Sequence, residues 1–166
     1  MYLKQKDIFW AMRKDFVKEI MRISVAESHK QGKLLFREGD PANAFYVLLK
    51  GHIKLSLGET GQVVYIVSHA GEAFGWSSLI GRQNFSASAE CMAPTKLVKF
   101  DKQKLQKILE KDPANSLILF KRLAELLGNR LLQSYTIISS ASRAEFSPSY
   151  GTGQVMPTTE TQSETQ

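Results

Sequence analysis

The sequence predicts a mainly-β fold: an antiparallel barrel or jelly roll of short strands, entered by an amphipathic helix and left by a long one. Three observations carry that expectation. Between residues 32 and 100, short apolar runs alternate with turns rich in Gly, Pro and Asn, and no long helical period intervenes. Before them, apolar residues recur at three- and four-residue spacing. After them, a heptad-like seam runs from residue 117 to residue 138.

The elements follow in order. Asp7 is placed to cap a helix on which Ile8, Phe9, Met12, Phe16, Ile20 and Ile23 share one side, with Arg13, Lys14, Lys18 and Arg22 on the other. From Gly32 the period shortens. Residues 33–37 form a strand that ends in the turn Glu38-Gly39-Asp40-Pro41. Strands follow at 45–51, 53–57 and 62–67, the last two joined by the Gly58-Glu59-Thr60-Gly61 hairpin turn. Residues 71–90 come next: Gly71 and Gly75 bracket Ala73-Phe74, and a short helical piece covers 77–80. A loop at 81–84 then leads to a strand at 85–92, with another at 96–100. A glycine feeding directly into a helix start aims unpartnered backbone amides at an anion, so this stretch has the layout of a phosphate cradle.

Helices then return. Asp101 caps a lysine-rich helix at 102–111, and Asp112-Pro113 places an acid at the cap and proline at the first position of the last helix. Leu117, Ala124, Leu131 and Ile138 mark one seam position and Phe120 and Leu127 the other, with Ser134 and Ala141 weakening the second series. Leu119, Leu123, Leu126 and Leu132 lie on neighbouring faces. So much apolar surface predicts packing on the barrel and on a second copy, a homodimer through residues 113–141. The alternative is a helix that caps a monomeric domain. Fifteen of the last twenty residues are Ser, Thr, Gln, Gly or Pro, too little apolar area to fold. The expected organisation is one domain at 1–141 and a disordered tail at 142–166.

Composition narrows the function classes. A chain of 166 residues with 43% hydrophobic content is large enough for one domain with a real core. Its apolar runs, such as 117–120, are far shorter than the ~18 residues that span a bilayer. No apolar stretch or cleavage site follows the N-terminus, which speaks against a signal peptide. The single cysteine, Cys91, excludes an internal disulfide framework and suits a reducing cytoplasm, with the thiol as a small apolar filler. Residues 1–143 carry all 22 basic side chains and 13 of the 16 acids, a net formal +9. That charge raises a nucleic-acid hypothesis; the competing reading is lysines that keep exposed helices soluble. The basic first helix also suits a membrane surface, but Asp7, Asp15 and Glu19 dilute it, so no membrane partner is expected. His29, His52 and His69 are scattered singly, and no Ser-His-Asp set or paired carboxylates can be read. The expectation is a protein that is no enzyme, with no catalytic residue, metal or cofactor.

The order helix, antiparallel barrel, long helix, with the cradle between late strands, resembles the cyclic nucleotide-binding domain of the catabolite activator and FNR-type regulators. The resemblance covers residues 8–141 and rests on Gly32, Phe36, Glu38-Gly39-Asp40, residues 46–51, Gly71-Glu72-Ala73-Phe74-Gly75, Ser86-Ala87 and Asp101. It implies a double-stranded β-helix, or jelly roll, and a regulatory, bacterial sensor.

In that family the cradle reads Phe-Gly-Glu, with Arg-Ser/Thr-Ala after a short loop. The glutamate accepts from the ribose 2′-hydroxyl and the arginine holds the cyclic phosphate. Here Phe74-Gly75 and Ser86-Ala87 match, but Trp76 stands at the glutamate position and Phe85 at the arginine position. An indole offers no acceptor to a hydroxyl, and a phenyl ring neutralises no phosphate. Hydrogen bonds to charged groups contribute about 1.5–3 kcal/mol each. Losing both therefore costs about two to four decades of affinity. Arg82, three residues before Phe85, is either a substitute cation or a solvated loop charge.

The candidate ligand-binding residues are therefore Phe74, Gly75, Trp76, Ser77, Ser78, Phe85, Ser86 and Ala87. They suit a flat or apolar small molecule with one weak anion. The alternative is that Trp76 and Phe85 fill the old pocket and the module is a ligand-free dimeric platform. In the catabolite activator, polar residues of the long helix reach the nucleobase. The resemblance carries that role to the neighbourhood of Ser134-Tyr135-Thr136, so Tyr135 joins the candidates, or else belongs to the seam. The family's transcription factors continue into a helix-turn-helix domain that this sequence does not contain, which speaks against direct sequence-specific DNA binding.

Overall fold

The computed structural model describes residues 8–141, 146–147 and 156–157. The Asp7 cap and most of the expected tail lie outside these described residues. Within the tail, β9 (Phe146–Ser147) pairs antiparallel with β10 (Met156–Pro157). The chain divides into two compact units, Met1–Glu125 and Leu126–Gln166.

In the first unit, α1 (Lys14–Arg22) leads to β1 (Ser24–His29), β2 (Leu34–Phe36), β3 (Ala44–Lys50), β4 (Ile53–Leu57) and β5 (Gln62–Val67). Then come β6 (Ala73–Phe74), a 3-10 turn at Trp76–Ser78, β7 (Ser88–Cys91), β8 (Thr95–Asp101), α2 (Lys102–Lys111) and α3 (Pro113–Ala141). The strands form two four-stranded antiparallel sheets, ordered β1-β8-β3-β6 and β2-β7-β4-β5. Consecutive strands alternate between or within these sheets as a jelly roll requires, which matches the predicted class.

Strand β3 shows why the chain needs both helices and a second sheet. Its residues Ala44 to Leu48 are all buried, so alternate side chains enter two different cores. Tyr46 and Leu48 join Phe36, Ile53, Val67, Phe74, Phe85, Cys91 and Leu97 between the sheets. Phe45 meets Phe100, which in turn receives Phe9 edge-on at 5.6 Å. Phe16, Ile20, Leu105 and Leu119 are fully buried on the helical side as well.

Two expectations are corrected. The first helix begins at Lys14, not at Asp7. Residues 8–12 are turns in which Ala11 takes a left-handed φ of 66°, and Ile8, Phe9 and Met12 are buried there without helix. Strand β1, for which the sequence carries no apolar alternation, pairs along its whole length with β8. Strands β2 to β5 and β8, the caps at Asp101 and Asp112 and the lysine-rich helix lie within a residue of where expected, while β7 starts at Ser88 rather than at Phe85. Asp101 Oδ1 accepts from the Lys104 amide at 2.9 Å, and Asp112 Oδ1 from the Asn115 amide at 3.1 Å.

Candidate functional site: the cradle between residues 71 and 90

The approach to the cradle is fixed by one carboxylate. Glu72 accepts from the Tyr65 hydroxyl at 2.6 Å and from the Ser68 and His69 amides at 3.1 and 3.3 Å. Its backbone carbonyl accepts from the Leu48 amide at 2.9 Å, and the Gly71 amide donates to Leu48 O at 2.8 Å. Strand β6 therefore enters on β3, with Tyr46 opposite Phe74. Gly75 then turns the chain with φ 70° and ψ 25°. A Cβ there would lie 2.9 Å from Tyr46 Cδ2 and 3.3 Å from the Ala44 carbonyl, so the position needs glycine for both conformation and space.

The short helical piece is the single 3-10 turn Trp76–Ser78, one residue earlier and shorter than expected. Its first internal hydrogen bond runs from the Ser78 amide to Gly75 O at 3.3 Å, so the Trp76 and Ser77 amides precede the turn's own bonding. The Ser78 hydroxyl also returns to Gly75 O, at 3.0 Å. The Ser77 hydroxyl sits 3.3 Å from that of Ser86 and accepts from the Ser86 amide at 3.4 Å. Ser77 and Ser78 are buried, whereas Trp76, Ser86 and Ala87 are half-buried.

Phe85 is held differently from the strand start predicted for it. Strand β7 begins at Ser88, and before it only Asn84 makes an isolated bridge, to Pro41. The Phe85 amide donates to Asp40 O at 2.9 Å, and its carbonyl accepts from Gly39 at 3.0 Å. The Glu38-Gly39-Asp40 turn thus fixes the backbone of residue 85. Its ring turns inward, is 4% exposed, and stacks on Phe36 with centroids 3.8 Å apart and planes 16° apart. Phe36 continues the stack to Tyr46, and Tyr46 to Phe74. Burial, with Glu27 adding a smaller repulsion, pushes the Tyr46 hydroxyl up to about 12.

The structure therefore brings Phe74, Gly75, Ser77, Phe85 and Ser86 together, with Trp76, Ser78 and Ala87 in the same segment. Tyr135 belongs to the second unit, where it is 55% exposed on α3. Arg82 is exposed; its amide donates to Ser77 O and its carbonyl accepts from Lys102 Nζ. Cys91 is fully buried, and burial raises its thiol above the usual range, in keeping with a filler. Among the described residues no group of three His, Cys, Asp or Glu could hold a metal ion, and no described helix is long and apolar enough to cross a membrane.

A feature that sequence reading missed is a polar cluster beside this core. Glu27 on β1 pairs with His29 at 2.8 Å and with Lys99 of β8 at 3.8 Å. The two-residue spacing puts Glu27 and His29 on one face of β1, and the β1–β8 pairing, which had no apolar signal of its own, brings Lys99 to them.

With this geometry in place, residues 26–112 match the family described as cyclic nucleotide-binding domain. A protein from Geobacter metallireducens described as cyclic nucleotide-binding superposes with a TM-score of 0.68 at 27% identity, covering 75% of this chain and 91% of that one. A cyclic nucleotide-binding domain from Methylobacillus flagellatus shares the fold, with a TM-score of 0.70 at 23% identity over 83% of this chain and 82% of the other. The global nitrogen regulator of a Nostoc species is 26% identical over 125 residues, 73% of this chain and 54% of that protein. The chain spans between a quarter and about half the length of the curated relatives it matches.

Proposed function

This chain belongs to the cyclic nucleotide-binding domain family, and we propose that it is a ligand-sensing regulatory module whose ligand is not a cyclic nucleotide held in the family's way. The observation that carries this reading is a kept backbone with replaced side chains. Gly75 keeps its left-handed turn under the first amides of the 3-10 turn, while Trp76 and the buried Phe85 stand where the resemblance calls for a ribose acceptor and a phosphate cation. What remains polar is the Ser77–Ser86 hydroxyl pair. A flat or apolar small molecule with one weakly anionic group suits these donors. It would lie against the Trp76 indole and Ala87, above Phe74 and Phe85, with Ser78 holding the turn.

The signal leaves through α3. Leu117, Phe120, Leu131 and Ile138 of the seam are all exposed, whereas Leu119 and Leu123 are buried. A second copy covering the exposed seam makes a homodimer, and ligand binding shifts that helix pair. This is a cytoplasmic, regulatory role. The Nostoc relative is a global nitrogen regulator, which supports a regulatory role. A thermal-shift screen of nucleotides and metabolites tests the proposal: stabilisation by one compound, lost in Trp76→Ala, is expected. Silence across a broad library overturns sensing.

A second reading has its own observation. The face-to-face stack of Phe85 on Phe36 fills space inside the barrel, which favours a ligand-free dimeric platform. The same screen decides between them.

A further inference from the structure

The charge of the first unit has an address that the cradle does not explain. On α2, Lys104, Lys107 and Lys111 are three and four residues apart and share one exposed stripe, opposite buried Leu105, Ile108 and Leu109. Helix α1 lies beside α2 and antiparallel to it. Arg13 at its start pairs with Asp112 just past the end of α2 at 3.1 Å, and β1 after it begins opposite Phe100, just before α2. Lys14, Lys18 and Arg22 recur every four residues along α1 and are also exposed.

Among the described residues none of these six cations is ion-paired; the pairs formed by basic side chains use Arg13, His29, Lys54, His69, Lys99 and Arg122. The acids nearby do not cancel the α2 stripe. Glu110, three residues after Lys107, borders it and accepts from Gln106 Nε2 at 2.9 Å, leaving three cations against one acid, while Asp15 and Glu19 flank the cations of α1 alone.

We propose that the α2 stripe, flanked by the cations of α1, is a sequence-independent docking face for the phosphate backbone of a nucleic acid. The stripe is about 10 Å long at 1.5 Å per residue, the axial length of about three nucleotide steps. Protein–protein interfaces have apolar or aromatic centres and are poor in lysine, whereas five of these six residues are lysine and no large exposed apolar side chain lies on α1 or α2. Neither helix carries an exposed apolar side chain to insert into a lipid surface. The contact needs no recognition helix, because phosphate contacts carry no base readout.

The test uses the full chain and fluorescence anisotropy of two 20-base-pair duplexes of unrelated sequence, titrated at several salt concentrations. Both duplexes are expected to bind equally at low salt. The Lys104→Gln/Lys107→Gln/Lys111→Gln variant is expected to bind at least tenfold more weakly, with the log–log salt slope flattened by about 2–3. A control of equal net charge, Lys30→Gln/Lys33→Gln/Lys50→Gln, keeps affinity and slope, and circular dichroism establishes that both variants fold. The proposal is overturned if no duplex binds at low salt, if the two triple variants behave alike, or if poly-glutamate or phosphatidylserine vesicles bind more tightly than the duplexes.

Discussion

Residue 85 has two jobs that pull apart chemically. The family's pattern puts a guanidinium there; this chain puts a ring that completes the stack with Phe36, Tyr46 and Phe74. Truncating a buried aromatic leaves a cavity, so Phe85→Ala is expected to destabilise the fold by about 3–5 kcal/mol in urea unfolding. Gly75→Ala meets both a left-handed backbone and the Tyr46 ring, and a loss of about 1–3 kcal/mol is expected in the same measurement. Tyr46 reports the same core by pH. Its folded value is about 12 against an ordinary 10, so its contribution is complete below pH 10 and disappears as the pH rises from 10 through about 12. Ultraviolet titration should show a tyrosine step near pH 12, and Tyr46→Phe should remove that step. The identities of Trp76 and Phe85 could be read in the sequence, but the inward direction of the Phe85 ring could not. It is set by bonds to Gly39 and Asp40, far away in the chain.

At the scale of elements, local chemistry was legible where it was self-sufficient. Hairpin β4–β5 and the caps at Asp101 and Asp112 carry their own turn and cap residues, and each stands where predicted. Strand β1 does not: Ser24–His29 has no fully buried residue and Val25 is 56% exposed, because it is a sheet edge whose partner, β8, supplies the order. The N-terminal periodicity misled in the opposite sense, since Ile8, Phe9 and Met12 reach the core from turns, with Ala11 left-handed. Three variants check the caps. Asp101→Ala should cost about 1 kcal/mol and Asp101→Asn much less, because the amide oxygen still accepts from Lys104. Asp112 is held below the usual carboxylate range, first by the Asn115 amide, then by its side chain, with Arg13 adding a smaller pull. Its contribution is present above the ordinary value and is lost as the pH falls through the lowered one, so Asp112→Asn should flatten the acid limb of a pH–stability curve.

For the whole molecule, the proposed output is a dimer through α3. The exposed leucines and isoleucines along the helix, at 131, 132, 137 and 138, should give a dimeric mass by light scattering, and Leu131→Lys/Ile138→Lys should give monomers that still fold. The fold class was legible because strand and helix periods segregate along the chain, and the two sheets and the helical layer obey that segregation. The ligand was legible only as an exclusion, since side chains at 76 and 85 tell what the cradle lacks. That exclusion is the central claim, and calorimetric titration with cyclic AMP and cyclic GMP tests it most directly. The wild-type chain should show no binding tighter than about 1 mM, and Trp76→Glu/Phe85→Arg, if folded, should gain affinity. A wild-type dissociation constant of about 1 μM, some 4 kcal/mol tighter, would contradict it.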